Sequence, residues 1–140
     1  MIYSEYINSE TKGYTDILDI TDDVKRILAR SGITNGIVTL SVMSSTSAVT
    51  TLEFDPDLFA DFRKVLKAIV PPVTKGGHTH NEKWRDGGGF SHIRSSLIGT
   101  SKTIAIASKS IMLGTWQRII LIDFDNRPRS RKVFVQVFGE

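Results

Sequence analysis

Histidines, which can bind metal ions or transfer protons, are concentrated in one short stretch of the sequence. Residues 76–92 read GGHTHNEKWRDGGGFSH and contain all three histidines of the chain. If His78 and His80 lie on an extended segment, their imidazoles point to the same side, because side chains alternate along a strand. Asp86 and His92 follow at intervals of six residues. Two histidines and a carboxylate, with an open position for water or substrate, can form a site for zinc or another divalent ion.

The spacing of these residues leaves a second interpretation open, that of an exposed glycine-rich loop whose histidines are solvated. The triple glycine at 87–89 does not fit the dinucleotide-binding fingerprint, which needs a preceding strand and a different glycine spacing. If a helix begins near Phe90, its free amides and partial positive charge would point toward a ligand at these glycines. That geometry favours an anion.

Positive charge is concentrated in the second half of the chain. The formal net charge is +3, and residues 75–140 hold 11 of the 18 lysines and arginines but 5 of the 15 acidic residues. Arg127, Arg129 and Arg131 form the densest run, which can bind phosphate oxygens in bidentate pairs or serve as the solvated rim of a hairpin. Aromatic residues do not interleave with this run, and no helix-turn-helix or zinc-finger pattern is present. Both observations argue against nucleic acid as a partner.

The composition limits the kinds of protein to consider. A chain of 140 residues with 40% apolar residues is expected to form one domain over 1–140. It has no apolar run of about 18 residues and no secretory signal pattern, which predicts a soluble, intracellular protein, with the cytoplasm as its expected location. Because the chain has no cysteine, disulfides, thiolate ligands and a cysteine nucleophile are excluded.

The order of predicted elements indicates an α+β fold with a mostly antiparallel sheet and helices against one face. Strands at 2–8 and 14–20 are predicted to form a hairpin or meander around Gly13. Two main helices are predicted, one from Thr21 to residue 31 and one from Asp55-Pro56 to residue 70, followed by a loop over 73–89 and a short third helix over 90–99. The remaining predicted strands cover 36–43, 48–54, 101–108, 110–114, 115–124 and 131–139. The connection over 44–47 consists of serine and threonine, although glycine or asparagine is usual at a hairpin tip.

The sequence from residue 86 to the C-terminus resembles the YjbQ-like family. The specific features are LGTWQ at 113–117, a strand that ends in DFD at 123–125, RPRSR at 127–131 and the final GE. Weaker similarity extends over nearly the whole chain. The family is linked to secondary thiamine-phosphate synthase activity. The resemblance implies an α+β, sandwich-like or barrel-like domain that assembles as a homotrimer, with its active site near subunit boundaries and a divalent metal ion, zinc or magnesium.

The family pattern can be carried over to individual positions. His80, Asp86 and His92 match a loop histidine, an aspartate and a final histidine, and Glu53 matches the glutamate after the fourth strand. The resemblance implies catalytic roles for all four of these residues and metal ligation by His80, Asp86 and His92. Trp116 and Gln117 match the TWQ turn and, with Arg127, Arg129 and Arg131, are the predicted substrate contacts.

Four polar positions of the family pattern are changed in this chain. Ser44 or Ser45 stands where the family has its first histidine, Leu52 and Gly88 replace asparagines, and Phe90 replaces the penultimate histidine. Serine is a poor ligand for zinc, so the loss of that histidine should weaken metal binding. We hypothesise that His78 fills the vacant ligand position.

Two functions follow from these observations. One is a metal-assisted transferase that joins a phosphorylated pyrimidine to a phosphorylated thiazole and releases pyrophosphate. The other is a non-catalytic trimer whose degenerate pocket binds a metal or a phosphorylated metabolite, and the changed polar positions favour it.

Overall fold

The computed structural model of the chain describes residues 1–73, 78–84 and 87–140. Within these residues the fold is α+β and antiparallel, as the sequence predicts, but it has two sheets and four helices where one sheet and three helices are predicted. The strands are β1 (Ile2–Thr11), β2 (Asp16–Asp19), β3 (Gly36–Val42), β4 (Ser47–Leu52), β5 (Ser101–Ala107), β6 (Ser110–Ile111), β7 (Arg118–Asp123) and β8 (Arg129–Gly139). The helices are α1 (Thr21–Ser31), α2 (Pro56–Ile69), α3 (Thr79–Trp84) and α4 (Gly89–Ile98).

The larger sheet has the order β1-β8-β3-β5-β6. Its inner face is a continuous apolar surface in which alternate residues are buried, including Val38 and Leu40 of β3 and Val135 of β8. These side chains pack with the apolar face of α1 in the main hydrophobic core. The alternation of buried and exposed residues along β3 and β8 is typical of a sheet with one solvated face.

The smaller sheet has the order β2-β7-β4, with β7 at its centre. Ile119 and Leu121 of β7 belong to the main core, whereas Ile120 and Ile122 belong to a second core that α2 covers with Phe59 and Leu66. Because both faces of β7 are buried, its sequence is a continuous apolar run without alternation. The smaller sheet therefore lies between the larger sheet with α1 on one side and α2 on the other.

The predicted hairpin or meander of the first two strands is wrong, because these strands belong to different sheets. β1 pairs with β8 and β2 pairs with β7, so they form neither a hairpin nor a meander. Between them, Gly13, Tyr14 and Thr15 all have left-handed backbone conformations, with φ of 81°, 53° and 64°. This turn redirects the chain from one sheet to the other. β3 and β4 also lie in different sheets, which explains why their serine and threonine connection lacks the glycine or asparagine of a hairpin tip.

The two main helices begin and end close to the predicted residues. In α2, the Asp55 carboxylate accepts a hydrogen bond from the Asp57 amide at 2.9 Å, and Pro56 occupies the first turn. α1 ends at Ser31 and is followed by Gly32, which has a left-handed φ of 71°. In the described ranges, none of the helices is both long enough and apolar enough to cross a membrane.

The third helix of the chain, α3, was not predicted, since 73–89 was expected to be a loop. Its six residues include Thr79 and His80, so His78 and His80 do not lie on an extended segment. The argument that alternation places their imidazoles on one side therefore fails. The predicted short helix over 90–99 is confirmed as α4, one residue earlier at each end.

Candidate anion-binding site

A pocket of about 600 Å³ opens where the chain crosses between the two sheets. Three segments line it: the β3–β4 connection, the start of α4, and the β7–β8 connection with the first residues of β8. The lining includes four predicted site residues, His92, Arg127, Arg129 and Arg131. The other lining residues are Met43, Ser44, Ser45, Thr46, Gly88, Ser91, Asp125 and Asn126.

A buried ion pair forms the rear of this pocket. Arg131 Nε donates to Asp123 Oδ2 at 2.7 Å and Arg131 Nη2 donates to Asp123 Oδ1 at 2.9 Å. The Asp123 side chain is fully buried and that of Arg131 is 11% exposed. Thr11 and the Asp125 amide also donate to this carboxylate. Burial acts to raise the pKa of Asp123, but the hydrogen bonds from Arg131, Thr11 and the Asp125 amide together with the Arg131 charge hold that pKa below its ordinary value.

Arg129 is also held by a carboxylate, whereas Arg127 is not. Asp125 Oδ2 accepts hydrogen bonds from Arg129 Nε at 3.0 Å and from Thr46 Oγ1 at 3.1 Å. Arg127 is exposed and makes no ion pair or side-chain hydrogen bond with any residue of the described ranges. The three predicted phosphate contacts therefore divide into two arginines with carboxylate partners and one whose guanidinium is available to a ligand.

The left-handed turn between β1 and β2 supports the outer wall of the pocket. The Tyr14 amide donates to the Asp125 carbonyl at 2.7 Å. A Cβ atom at Gly13 would lie 2.7 Å from the carbonyl oxygens of both Asp125 and Arg127, a distance at which one backbone would have to shift. Glycine at this position therefore allows the turn to pack directly against the β7–β8 connection.

His80 and His92 are close together at the edge of the pocket. Their ring centroids are 4.6 Å apart, and the His80 ring lies 6.3 Å from the ring of Trp84. His78 has a contact elsewhere, with its Nε2 atom 3.4 Å from the Pro71 carbonyl oxygen. Asp86, the predicted third ligand, lies outside the described residues. Within the described ranges no group of three or more histidine, aspartate or glutamate residues could hold a metal ion, so these residues supply two imidazoles and do not complete a site.

Two residues that position α4 were missed by the sequence analysis. Asn81 is buried, accepts a hydrogen bond from the Gly89 amide at 2.8 Å and donates to the Val73 carbonyl at 2.6 Å. The amide at the start of α4 is therefore bonded to Asn81, which corrects the expectation of free amides. A Cβ atom at Gly89 would lie 2.9 Å from Asn81 Oδ1, so the glycine fits this contact.

Arg94, the second missed residue, holds α4 against the end of α2. Its guanidinium donates to the Val70 carbonyl at 2.8 Å and to Thr15 Oγ1 at 3.2 Å, and it lies over the ring of the buried Phe90. No carboxylate of the described ranges pairs with it, and burial lowers the pKa of Arg94. A cation at the C-terminal end of α2 is favoured by the helix dipole.

The remaining predicted site residues lie at the opposite end of the smaller sheet. Ser47 pairs with Asp123 near the arginine pocket, and Leu52 pairs with Arg118 at the far end, a separation of roughly 17 Å at about 3.4 Å per residue. Glu53 and Trp116 line a separate cavity of about 520 Å³ at that far end. Within one chain, they do not reach the pocket that contains His92.

The LGTWQ turn at this far end is fixed by Gln117. Its Oε1 atom accepts from the Gly114 amide at 2.9 Å and its Nε2 atom donates to Thr51 Oγ1 at 3.1 Å. The turn leaves Trp116 73% exposed, so its indole is a surface group. The usual packing role of tryptophan in a core does not apply to it.

The fold and the pocket define a class: α+β proteins with two antiparallel sheets and an arginine-lined pocket where connections cross between them. A family model described as UPF0047 protein YjbQ-like matches residues 5–140. The chain belongs to this YjbQ-like family.

Relatives with similar sequences are UPF0047 proteins. One from Methanothermobacter thermautotrophicus is 34% identical over 99% of this chain and 94% of its own length, and one from Methanocaldococcus jannaschii is 33% identical over 94% and 91%. Among solved structures, a YbjQ-like protein of unknown function from Sulfolobus solfataricus has a TM-score of 0.91 at 27% identity, covering 100% of this chain and 99% of its own. A YjbQ/UPF0047 protein from Clostridium acetobutylicum has a TM-score of 0.85 at 32% identity, covering 96% and 99%.

The buried ion pair leads to a prediction about stability. Asp123→Asn should lower the free energy of unfolding by about 3 to 5 kcal/mol, because it leaves Arg131 buried without its full charge partner. The matched control, Asp23→Asn, removes an ion pair with Arg26 whose side chains are 42% and 61% exposed, and should change stability by less than about 1 kcal/mol. Urea unfolding at pH 7 measures both changes, and equal effects would contradict the structural role of Asp123.

The pH dependence of unfolding adds a second readout for the same pair. Because the pKa of Asp123 is lower in the folded chain than in the unfolded chain, its contribution is present above the unfolded value, about 3.9, and is lost as pH falls from there through the folded value. The wild type should therefore lose more stability than Asp123→Asn over that acidic range.

Proposed function

We propose that the arginine pocket binds the phosphate group of a small phosphorylated metabolite. The observation that carries the proposal is the state of Arg127, which is exposed on the pocket wall and has no carboxylate partner in the described ranges. Arg129 and Arg131 are paired with Asp125 and Asp123. An unpaired guanidinium offers a planar fork of donors that matches phosphate oxygens.

The other groups of the pocket suit the same ligand. Ser45 is exposed, and its hydroxyl makes no hydrogen bond with a described residue, so it can donate to a phosphate oxygen. The described part of the lining contains three arginines and one aspartate, which leaves it positively charged even with Asp123 behind it. A volume of about 600 Å³ falls within the range of small-molecule sites.

The proposal predicts that Arg127 determines phosphate affinity. Arg127→Gln should weaken the binding of inorganic phosphate and of pyrophosphate about tenfold or more, because it removes a bidentate, charge-assisted contact. Arg26→Gln makes the same change of charge at an exposed residue of α1 and should leave affinity within about twofold of the wild type. Isothermal titration calorimetry at constant ionic strength measures both variants. A wild-type protein that binds neither anion, or variants with equal affinities, would refute the proposal.

A second candidate function, the metal-assisted transferase that the family resemblance implies, is favoured by the contact between His80 and His92 beside the pocket. In that reaction a carbon–nitrogen bond forms between the pyrimidine and the thiazole while the bond to the pyrophosphate leaving group breaks. The arginine pocket would hold the leaving group. A divalent ion would need Asp86 in addition to the two histidines, because catalytic zinc sites have three protein ligands.

The transferase candidate predicts pyrophosphate release when purified protein is mixed with both phosphorylated substrates and magnesium. His80→Ala should lower this rate by at least about 100-fold and remove bound metal in elemental analysis, because it deletes a ligand. Thr79→Ala, at an exposed residue of the same helix, is the control and should keep both properties. Activity no higher than that of heat-denatured protein would exclude this candidate and leave the binding function.

We further propose that the chain assembles as a homotrimer through the outer face of the larger sheet. Ile2, Phe138 and Ile37 lie side by side across β1, β8 and β3, and they are 61%, 54% and 40% exposed. The next row on the same face, two residues along each strand, consists of Ser4, Gln136 and Thr39, which are uncharged. An exposed apolar row on an uncharged face is typical of an interaction surface.

Light scattering should give a mass three times the 15.6 kDa of one chain. Phe138→Lys should shift the protein toward monomers, because a buried charge in the interface is unfavourable. Val65→Lys, at a 56% exposed residue of α2, is the control and should leave the mass unchanged. A monomeric wild type would contradict this assembly.

A further inference from the structure

A second cavity of about 440 Å³ adjoins the arginine pocket. Its lining is made by Ser45, His92 and one end of α4 with the residues that follow it, namely Ser95, Ser96, Gly99 and Thr100. Ser45 and His92 line both cavities. These two residues therefore form the boundary between neighbouring spaces that together make one larger site.

The two cavities differ in charge. The arginine pocket contains Arg127, Arg129 and Arg131, whereas the second cavity has no arginine, lysine, aspartate or glutamate among its described lining residues. A phosphate group would be attracted to the arginine pocket, since the positive charges that line a recess act together on an anion inside it. The second cavity offers no such attraction and suits an uncharged part of a ligand.

The hydroxyls of the second cavity are available for hydrogen bonds. Ser95 Oγ donates to the Ser47 carbonyl at 2.6 Å. The side chains of Ser45, Ser96 and Thr100 are exposed and make no hydrogen bond with other described residues. Because a hydroxyl both donates and accepts, three of them can recognise the alcohol, amide or ring-nitrogen groups of an uncharged polar moiety.

We infer that the two cavities form one bipartite site for a phosphate ester whose uncharged portion carries hydrogen-bonding groups. This inference rests on the proposed binding of phosphate by the arginine pocket. The phosphate lies beside Arg127, the polar portion lies against Ser96 and Thr100, and the bond that joins them passes His92. Contact with the His80 ring, 4.6 Å away, positions the His92 imidazole at this boundary.

The test compares three probes in calorimetry: inorganic phosphate, ribose 5-phosphate as a polar ester, and phenyl phosphate as an apolar ester. The wild type should bind ribose 5-phosphate at least about fivefold more tightly than either other probe, because only that probe makes hydrogen bonds in the second cavity. Equal affinities for ribose 5-phosphate and phenyl phosphate would overturn the inference.

The Ser96→Trp variant should fill the second cavity. It should weaken ribose 5-phosphate binding about tenfold and leave inorganic phosphate binding within about twofold. Leu97→Trp adds an indole at the neighbouring residue of α4, which is 62% exposed and lines neither cavity, and should change neither affinity. If Ser96→Trp fails to fold by circular dichroism, Thr100→Val takes its place and should weaken ribose 5-phosphate binding about fivefold, since it removes one hydroxyl at nearly constant volume.

Failure of the inference can be distinguished from failure of the proposed function. A protein that binds inorganic phosphate through Arg127, but whose affinity for ribose 5-phosphate is unchanged in Ser96→Trp, or in Thr100→Val where that variant replaces it, overturns the bipartite site alone. A protein that binds none of the three probes overturns both.

Discussion

Arg131 and Asp123 join the two sheets through a pair of hydrogen bonds between side chains that are almost completely buried. Asp123 ends β7 in the smaller sheet and Arg131 lies on β8 in the larger one. Thr11, at the end of β1, donates to the same carboxylate. The connection of β3 to β4 joins this network because Arg131 Nη2 donates to Thr46 Oγ1 at 2.6 Å. Three chain crossings between the sheets are thus fixed around one carboxylate, and two of them, the β3–β4 and β7–β8 connections, line the pocket.

This arrangement separates arginines with buried carboxylate partners from an arginine without one, within a short sequence. Arg127, Arg129 and Arg131 look equivalent in the chain, where they alternate with proline and serine. In the fold, two of them satisfy carboxylates, and leaving either carboxylate buried without its partner would be unfavourable. Only the arginine outside this network can change partners at low cost in stability. The network therefore fixes the pocket walls through contacts that do not involve the Arg127 side chain.

The sequence predicted the elements better than their partners. α2 was predicted almost to the residue because Asp55, Pro56 and the prolines after Val70 are local signals, and β7 was recognisable as an apolar run. Strand pairing was not predictable in the same way, because the left-handed turn at Tyr14 and Thr15 uses residues that do not normally mark such a conformation. The family motifs grouped His92 and the arginines in one predicted site, and these residues do line one pocket. The motifs could not show that Glu53 and Trp116 lie at the other end of the smaller sheet. Asn81 and Arg94 gave no signal, since their partners are backbone groups outside their own helices: Asn81 bonds the Val73 carbonyl and the Gly89 amide, and Arg94 bonds the Val70 carbonyl.

The exposure of the indole rings also determines the tryptophan fluorescence of the protein. The chain has two tryptophans, Trp84 and Trp116, and they are 63% and 73% exposed in the folded state. Their fluorescence spectrum is therefore that of hydrated indole before unfolding as well as after it, so an emission shift is a poor reporter of global unfolding. The two rings instead report on local surroundings at opposite ends of the smaller sheet. Trp84 stands beside His80, where a ligand at the pocket would alter quenching, while Trp116 is placed to sense only events at the far cavity.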